Sequence, residues 1–388
     1  MSVSVPQGFV ATGVACGLKA GGGKDLAIVL NRGPRQAGAA VFTSNRAKAN
    51  PVLWSQQVIG DGVVSAIVLN SGGANCYTGT QGFQATHRTA ELAAELLDVS
   101  SADILVCSTG LIGEQLDLAK IEAGLASARD ALVQGAAADG GGHDAALAIM
   151  TTDTHPKETV VQRDGWSIGA MAKGAGMLAP GLATMLVVLT TDADLPAEAL
   201  DAALRSATRV TFDRLDSDGC MSTNDTVALL ASGASGIAPH AQEFTDALIE
   251  ACQSLAQELQ QDAEGASHDI TIEVVNAATE DDAVQVGRAV ARSNLFKTAI
   301  FGNDPNWGRV LASVGTTSAA FDPYGIDVTI NGIRVCRAGG PDQPRELVDL
   351  TPRAAHVLID LGVGSEQASI LTNDLTHDYV HENSAYAS

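Results

Sequence analysis

Short apolar runs rich in Val and Ile recur along the chain and predict β-strands. They occupy residues 25–31, 63–69, 103–107, 185–190, 226–231, 270–275 and 326–331. Between these runs, apolar residues recur three and four positions apart, which is the spacing of one helix face. The clearest helical stretches are 88–97, 196–208, 241–260 and 281–297. Strands and helices therefore alternate along the chain.

This alternation predicts an α/β protein built in layers, although the pattern does not decide between parallel and mixed sheets. A chain of 388 residues exceeds what one hydrophobic core organises, so we expect two lobes. The glycine-rich stretch at 135–143 is expected to be a surface loop, and the polar C-terminal segment HENSAYAS a loose tail.

The charge balance argues against two classes of partner. Asp and Glu outnumber Lys and Arg by 45 to 23, and such an acidic field repels nucleic-acid phosphates and anionic lipid. The first twenty residues lack a basic start followed by an apolar segment, and no run of about 18 apolar residues occurs. The six cysteines show no CxxC spacing, so neither a zinc site nor a disulfide framework is predicted. We expect a cytoplasmic protein.

The most unusual segment is the glycine-rich stretch 173–183, which leads into the apolar run at 185–190. Gly174 and Gly176 imitate part of a dinucleotide-binding fingerprint. That fingerprint opens a helix after a strand, whereas Pro180 and a strand-like run follow here. A dinucleotide-binding module therefore stays open only as a weaker alternative.

Thr184, at the start of that run, suggests a different chemistry. Its hydroxyl could attack the carbonyl of Ala183 and leave an ester that water hydrolyses. The new N-terminal threonine would then carry a free α-amine as an adjacent base for its own Oγ. From the spacing alone, a structural threonine at a strand start is the simpler interpretation.

A second polar segment follows the predicted strand 103–107. There, the Thr109 hydroxyl and the Gly110 amide form a plausible oxyanion pair, and a tight turn is the alternative. Small polar residues also cluster at 70–75, 151–157 and 222–226, where turn and cap chemistry is a sufficient explanation.

Taken together, six segments resemble the ornithine acetyltransferase family, also called glutamate N-acetyltransferases. They are CSTGLIGE (107–114), IMTTDT (149–154), MAKGAGMLAPGLATML (171–186), DGCMSTNDT (218–226), FGNDPNWGR (301–309) and the C-terminal ENSAYAS. The resemblance spans nearly the whole chain. It implies a layered α/β sandwich of the N-terminal-nucleophile-like autoproteolytic type, with two lobes.

The resemblance also implies where the chain is cut and what the cut produces. Matching the family's motif places the cut between Ala183 and Thr184, giving an α fragment of 1–183 and a β fragment of 184–388. Thr184 is then the nucleophile that accepts the acetyl group. Thr109 and Gly110 become the oxyanion pair.

The same matching implies the substrate contacts. Besides Thr184, they are Thr151, Lys173, Glu264, Asn383 and Ser388. Lys173 suits the α-carboxylate that ornithine and glutamate share, and Glu264 suits an ammonium group. One segment departs from the family, because Gly73 stands where an Asn is usual and Tyr77 where a small residue is common.

The resemblance implies a reaction in which N2-acetylornithine donates acetyl to Thr184 and glutamate accepts it. Neither a metal nor a cofactor is expected, and whether acetyl-CoA also serves as donor stays open. The expected assembly is a homo-oligomer of αβ units. The alternative within the same fold is a self-cleaved aminopeptidase or amidohydrolase, in which water resolves the acyl-enzyme.

Overall fold

The structure is a computed structural model and describes residues 2–133, 140–179 and 185–385. Its strands are β1 (Phe9–Val14), β2 (Leu26–Asn31), β3 (Ala37–Phe42), β4 (Ala66–Asn70), β5 (Ile104–Ser108), β6 (Lys157–Arg163), β7 (Trp166–Lys173), β8 (Leu186–Thr191), β9 (Thr226–Ala231), β10 (Asp269–Ala277), β11 (Asp327–Ile330), β12 (Ile333–Arg337), β13 (Gly340–Pro341), β14 (Ala354–Asp360) and β15 (Glu366–Asn373). Its helices are α1 (Asn50–Val58), α2 (Gly79–Leu97), α3 (Leu118–Val133), α4 (Gly141–Ile149), α5 (Ala197–Val210), α6 (Ala241–Gln261), α7 (Glu280–Ala291), α8 (Asn294–Phe301), α9 (Trp307–Val314) and α10 (His377–Ala385).

Two mixed sheets form the first lobe. The first sheet has the order β1-β2-β4-β5, and the second has the order β3-β9-β8-β7-β6. Within them, β4 pairs with β5 and β8 pairs with β9 in parallel, while the other neighbours are antiparallel. The sequence pattern did not decide between parallel and mixed sheets. Both sheets of this lobe are mixed.

The two sheets pack face to face and carry helices on their outer faces. Their shared core joins Leu69 and Leu105 of the first sheet to Leu186 and Val188 of the second. The opposite face of the first sheet packs on α1, α2 and α3, and that of the second packs on α5 and α6. Strand β8 is buried on both sides, which explains its continuous apolar run.

The second lobe is built on a third sheet of order β13-β12-β11-β14-β10-β15. Helix α7 packs on β10 and β15, and α8 and α9 extend the same core. The expected two-lobed, layered α/β architecture is confirmed. The lobes do not coincide with the expected fragments, because β7 of the α fragment pairs with β8 of the β fragment inside one sheet.

Three local expectations are corrected. The stretch 281–297 is two helices, because Ser293 accepts a hydrogen bond from the Phe296 N–H and starts α8 anew. Residues 141–143 of the glycine-rich stretch lie in α4 rather than in a loop, and 134–139 lie outside the described residues. The C-terminal segment is not a loose tail as far as Ala385, because α10 extends to that residue. Within the described ranges, no helix is long and apolar enough to cross a membrane.

Candidate active site

The predicted oxyanion turn follows β5 directly. The Thr109 N–H donates to the Asn70 carbonyl at 3.0 Å, and the Gly73 N–H donates to the Thr109 carbonyl at 2.9 Å. Gly110 has a φ of +127°, and a Cβ there would lie 2.6 Å from the Gly73 nitrogen. The turn therefore requires glycine for both its conformation and its close approach. The Gly110 N–H donates to no group in the described part of the chain, so it is available to an oxyanion.

Lys173 is the last residue of β7 and is 1% exposed. Its Nζ donates to the Thr109 Oγ1 at 3.4 Å, and it forms no ion pair with any carboxylate of the described residues. Burial lowers the pKa of this ammonium, and the negative charge of Asp153 opposes that effect. A buried cation with unused donors is suited to a ligand carboxylate.

A buried ion triad supports this corner of the site. The Lys157 Nζ lies 2.7 Å from Asp153 and 2.6 Å from Asp262, and all three side chains are almost fully buried. Asp153 also accepts the N–H groups of Thr151 at 2.9 Å and of Gly174 at 2.6 Å. The triad thus holds the backbone at Thr151 and immediately after Lys173.

The charges around Asp153 decide its ionisation. Burial alone raises the pKa of this carboxyl, but the cations of Lys173 and Lys157 outweigh burial and lower its pKa to about 2. Asp153 is therefore ionised at neutral pH. It completes the charge balance of two buried lysines.

Glu264 lies against the segment that follows Lys173. Its N–H donates to the Ala175 carbonyl at 2.9 Å, and its carboxylate lies over Gly176, where a Cβ would come within 2.6 Å of Oε2. The carboxylate makes no hydrogen bond or ion pair to a described residue. It is consequently available to an ammonium group.

These residues border one cavity of about 310 Å³. Of the predicted site residues, the six that the structure describes all line it: Thr109, Gly110, Thr151, Lys173, Glu264 and Asn383. Asn383 reaches it from α10 and is itself exposed. Ala183, Thr184 and Ser388 lie outside the described residues. The six come from five separate parts of the chain, so their convergence results from the fold.

Two parts of the site were not anticipated. The first is the ion triad, which includes Asp262 from the end of α6. The second is Asn224, which lines the cavity with Ser222 and Thr223 and donates to the Ala74 and Ser108 carbonyls at 2.7 and 2.8 Å. The clusters of small polar residues at 151–157 and 222–226 could have indicated both parts. We explained these clusters by turn and cap chemistry instead.

The start of β8 lies beside this cavity. Leu186 pairs with Lys173 in the β7–β8 ladder, and the Met185 N–H donates to the Asp225 Oδ1 at 3.1 Å. The described residues between β7 and β8 include no helix. A dinucleotide-binding fingerprint requires a helix there, so this arrangement argues against that alternative.

The cavity brings together groups of opposite charge and potential hydrogen-bond donors to a ligand oxygen. It combines a buried ammonium, an unpaired carboxylate, a hydroxyl and a backbone N–H within one small volume. Across residues 2–133, 140–179 and 185–385, no cluster of three or more His, Cys, Asp or Glu side chains could hold a metal ion.

Solved structures include similar chains. A crystal structure of ornithine acetyltransferase complexed with ornithine, from Mycobacterium tuberculosis, shares 48% identity over 48% of this chain and 96% of that chain, with a TM-score of 0.44. The arginine biosynthesis bifunctional protein ArgJ of Bacillus halodurans shares 33% identity over 51% of this chain and 97% of that chain, with a TM-score of 0.48.

Curated relatives match along the entire chain. The arginine biosynthesis bifunctional protein ArgJ of Streptomyces avermitilis is 62% identical over 388 residues, which cover 100% of both chains. That of Streptomyces coelicolor is 60% identical with the same coverage. The model of the ArgJ family matches residues 10–388. The chain therefore belongs to the ArgJ family, which confirms the family that its six segments indicated and the acyltransferase class that goes with it.

Proposed function

We propose that this protein transfers acetyl from N2-acetylornithine to glutamate through an acetyl-Thr184 enzyme, after cutting itself between Ala183 and Thr184. One observation carries the proposal. All six described site residues line a single cavity, and Met185, which follows Thr184 in the chain, is held beside that cavity by Asp225.

The proposed cut begins with attack of the Thr184 Oγ on the Ala183 carbonyl carbon. The carbon–nitrogen bond between the two residues breaks, an ester to Oγ forms, and the hydroxyl proton passes to the released amine. Water then hydrolyses the ester, which frees the Ala183 carboxylate and restores the hydroxyl. The α-amine produced in this way is the base for the later steps.

Acetyl transfer follows in two half-reactions. Thr184 Oγ attacks the acetyl carbonyl carbon of the donor, its proton passes to the α-amine, and ornithine leaves after taking up that proton on its own amino nitrogen. The amino group of glutamate then attacks the acetyl ester and releases the Thr184 hydroxyl. Thr109 and Gly110 stabilise the oxyanion of both tetrahedral intermediates.

The remaining residues bind and orient the two amino acids. Lys173 binds the α-carboxylate that donor and acceptor share, and Glu264 binds the side-chain ammonium of the ornithine half. Thr151 supports the carboxylate end, because Asp153 holds its backbone next to Lys173. We infer that Asn383 and Ser388 of the C-terminal segment also contact the substrates.

Further parts of the proposal concern what the enzyme needs besides its substrates. We infer that it uses no metal and no cofactor, that acetyl-CoA is a candidate second donor, and that αβ units associate as a homo-oligomer in the cytoplasm. The second candidate function is hydrolysis, in which water resolves the acyl-enzyme. The presence of both a cation, Lys173, and a carboxylate, Glu264, in the cavity favours an amino-acid acceptor over water.

A donor comparison on purified protein tests the proposal. N2-acetylornithine should acetylate the β fragment on Thr184, and glutamate should discharge it to N-acetylglutamate much faster than water does. The same assay with acetyl-CoA decides whether a second donor is used. Glutamate-independent discharge at the full rate would instead establish the hydrolase.

Cleavage is tested in parallel. Wild-type protein should run as two fragments of about half the chain each, with Thr184 at the N-terminus of the second. Thr184→Ala should stay one chain without activity, whereas Thr184→Ser should be cut slowly and retain residual turnover. A wild-type protein that transfers acetyl at full rate as one chain would contradict the mechanism.

A further inference from the structure

The dipeptide Asn224–Asp225 stands immediately before β9, where the two sheets of the first lobe meet the cavity. Asn224 is 4% exposed, and its Nδ2 donates to the carbonyls of Ala74 and Ser108. The Ser108 carbonyl belongs to the peptide bond that enters the oxyanion turn. Asn224 therefore ties that turn to the second sheet. Thr223 orients the Asn224 amide through a hydrogen bond to its Oδ1.

Asp225 reaches in the other direction along the same sheet. It is fully buried, and its Oδ1 accepts the Met185 N–H at 3.1 Å. The Thr226 N–H donates to the Met185 carbonyl at 3.2 Å, so both peptide groups of Met185 are held. The Asp225 Oδ2 is buried without a hydrogen-bond partner among the described residues. Such an atom is costly to bury unless a donor reaches it.

We propose that Asn224 and Asp225 are the positioning pair of this active site, with Asn224 holding the oxyanion turn and Asp225 holding the backbone next to the nucleophile. This inference rests on the proposed function, which makes Thr184 the nucleophile. Because the two residues are adjacent, one dipeptide sets the separation between the two halves of the reaction centre.

Covalent geometry extends the role of Asp225. After the cut, the α-amine of Thr184 lies roughly 3–4 Å from the Met185 nitrogen, simply because three bonds connect them. The Asp225 Oδ1 accepts a hydrogen bond from that same nitrogen. We infer that the Asp225 Oδ2, which is buried without a hydrogen-bond partner among the described residues, accepts a hydrogen bond from the amine.

Two variants separate the two members of the pair. Asn224→Ala removes both carbonyl contacts, and Asp225→Asn keeps an acceptor for the Met185 N–H but replaces the carboxylate. Thr223→Val is a milder change that removes the hydrogen bond to the Asn224 Oδ1 and one hydroxyl from the cavity lining, and it replaces Asn224→Ala if that variant does not fold. Positioning errors of this kind typically slow a reaction by about tenfold to a hundredfold.

Two buried residues at the far ends of β8 and β9, away from the cavity, provide matched controls. Asn31 is buried, and its Nδ2 donates to the carbonyls of Arg35 and Ala231, the second being the last residue of β9. Asp192 follows β8, is 3% exposed, and accepts the N–H groups of Ser167 and Gln7. Asn31→Ala and Asp192→Asn should lower stability while leaving the rate of acetylation within about twofold of wild type.

The measurement is the first-order rate constant of acetyl-Thr184 formation in a single turnover, followed by mass spectrometry. This constant does not depend on the folded fraction, so a merely destabilised variant does not move it. We expect it to fall in Asn224→Ala and Asp225→Asn, with KM within about twofold of wild type. An Asp225→Asn chain that stays uncut, while Asp192→Asn is cut, also supports the proposal.

Three results would overturn it in distinguishable ways. If the site variants acetylate Thr184 as fast as a cut and active wild type, only the positioning role is wrong. If wild-type protein forms no acetyl-Thr184, the proposed function fails as well. Equal slowing in the site variants and in the controls would assign the pair a structural role only.

Discussion

The Nζ of Lys173 lies 3.4 Å from the Oγ1 of Thr109. The residue that we expect to bind the substrate carboxylate is thus in direct contact with the residue that we expect to stabilise the oxyanion. The two belong to different sheets, since Thr109 follows β5 of the first sheet and Lys173 ends β7 of the second. One hydrogen bond therefore links the two residues to which we assign these roles.

Replacement of Lys173 by Met should weaken both half-reactions, because donor and acceptor share the α-carboxylate. We expect kcat/KM to fall by the equivalent of about 2 kcal/mol or more for each substrate, as is typical of a charge-assisted contact. Steady-state kinetics with N2-acetylornithine and with glutamate checks this. Lys157→Met is the matched control, a second buried lysine that should mainly lose stability because it leaves Asp153 and Asp262 unpaired. Unchanged kinetics in Lys173→Met would rule out the carboxylate role.

Asp153 should make stability depend on pH in the acid range. Its folded pKa of about 2 lies below the ordinary value of 3.8 for an aspartate, so its contribution to stability is present above the unfolded pKa and is lost as pH falls from about 4 through about 2. At neutral pH, Asp153→Asn should lower the free energy of unfolding by about 2 kcal/mol.

Denaturant unfolding of the uncut Thr184→Ala chain, with and without Asp153→Asn, measures that difference without fragment dissociation. The difference should shrink as the solution is acidified below about pH 4. A difference that stays constant down to about pH 2 would show that ionisation of Asp153 is not its cause.

Gly110→Ala should abolish acetyl transfer and destabilise the fold, because a Cβ there meets the Gly73 backbone nitrogen at 2.6 Å. Gly113→Ala is the control, since Gly113 also has a positive φ of +89° but nothing lies within 4 Å of its Cβ position. The control should cost only about 1–2 kcal/mol for its left-handed backbone. Thermal unfolding and single-turnover acetylation measure both variants. Equal losses in the two would show that the close approach at Gly110 is unimportant.

Gly176→Ala should raise the KM for N2-acetylornithine while leaving the fold intact. The added Cβ would come within 2.6 Å of the Glu264 carboxylate, which is the far end of a flexible side chain and can move aside. Glu264→Gln should have a similar effect on KM because it removes the charge instead of displacing it. The two single variants are compared in the same assay. If Glu264→Gln raises KM but Gly176→Ala leaves it unchanged, binding of the ammonium does not depend on where the Glu264 carboxylate lies.

Deletion of residues 383–388 should reduce activity while leaving self-cleavage complete. Asn383 lines the cavity from α10, whereas the cut requires only the surroundings of Thr184. A gel measures the cut and the transfer assay measures activity. Asn383→Ala in the full-length chain tests the one described residue of this segment that lines the cavity. Full activity in the truncated protein would show that the segment does not contribute to the site.

The sequence by itself determined the strands that are buried on both faces, because their apolar runs are continuous whatever surrounds them. Strands β8 and β9 belong to this class. It also determined the family, since short segments such as those around Thr109 and Lys173 carry that information locally. The roles of the site residues stay predictions from the same resemblance. Their chemistry could be predicted before their positions were known.

Only the tertiary structure decided the rest, because the deciding contacts join residues far apart in the chain. The Ala- and Gly-rich strand β3 has no Val/Ile run and becomes a strand through its pairing with β9. Asp262 joins Lys157 across 105 positions, and Asn224 reaches Ser108 across 116. A buried charge or amide is stable only when the fold supplies its hydrogen-bonding partner. Because that partner is distant in the chain, no local sequence pattern predicts the pair.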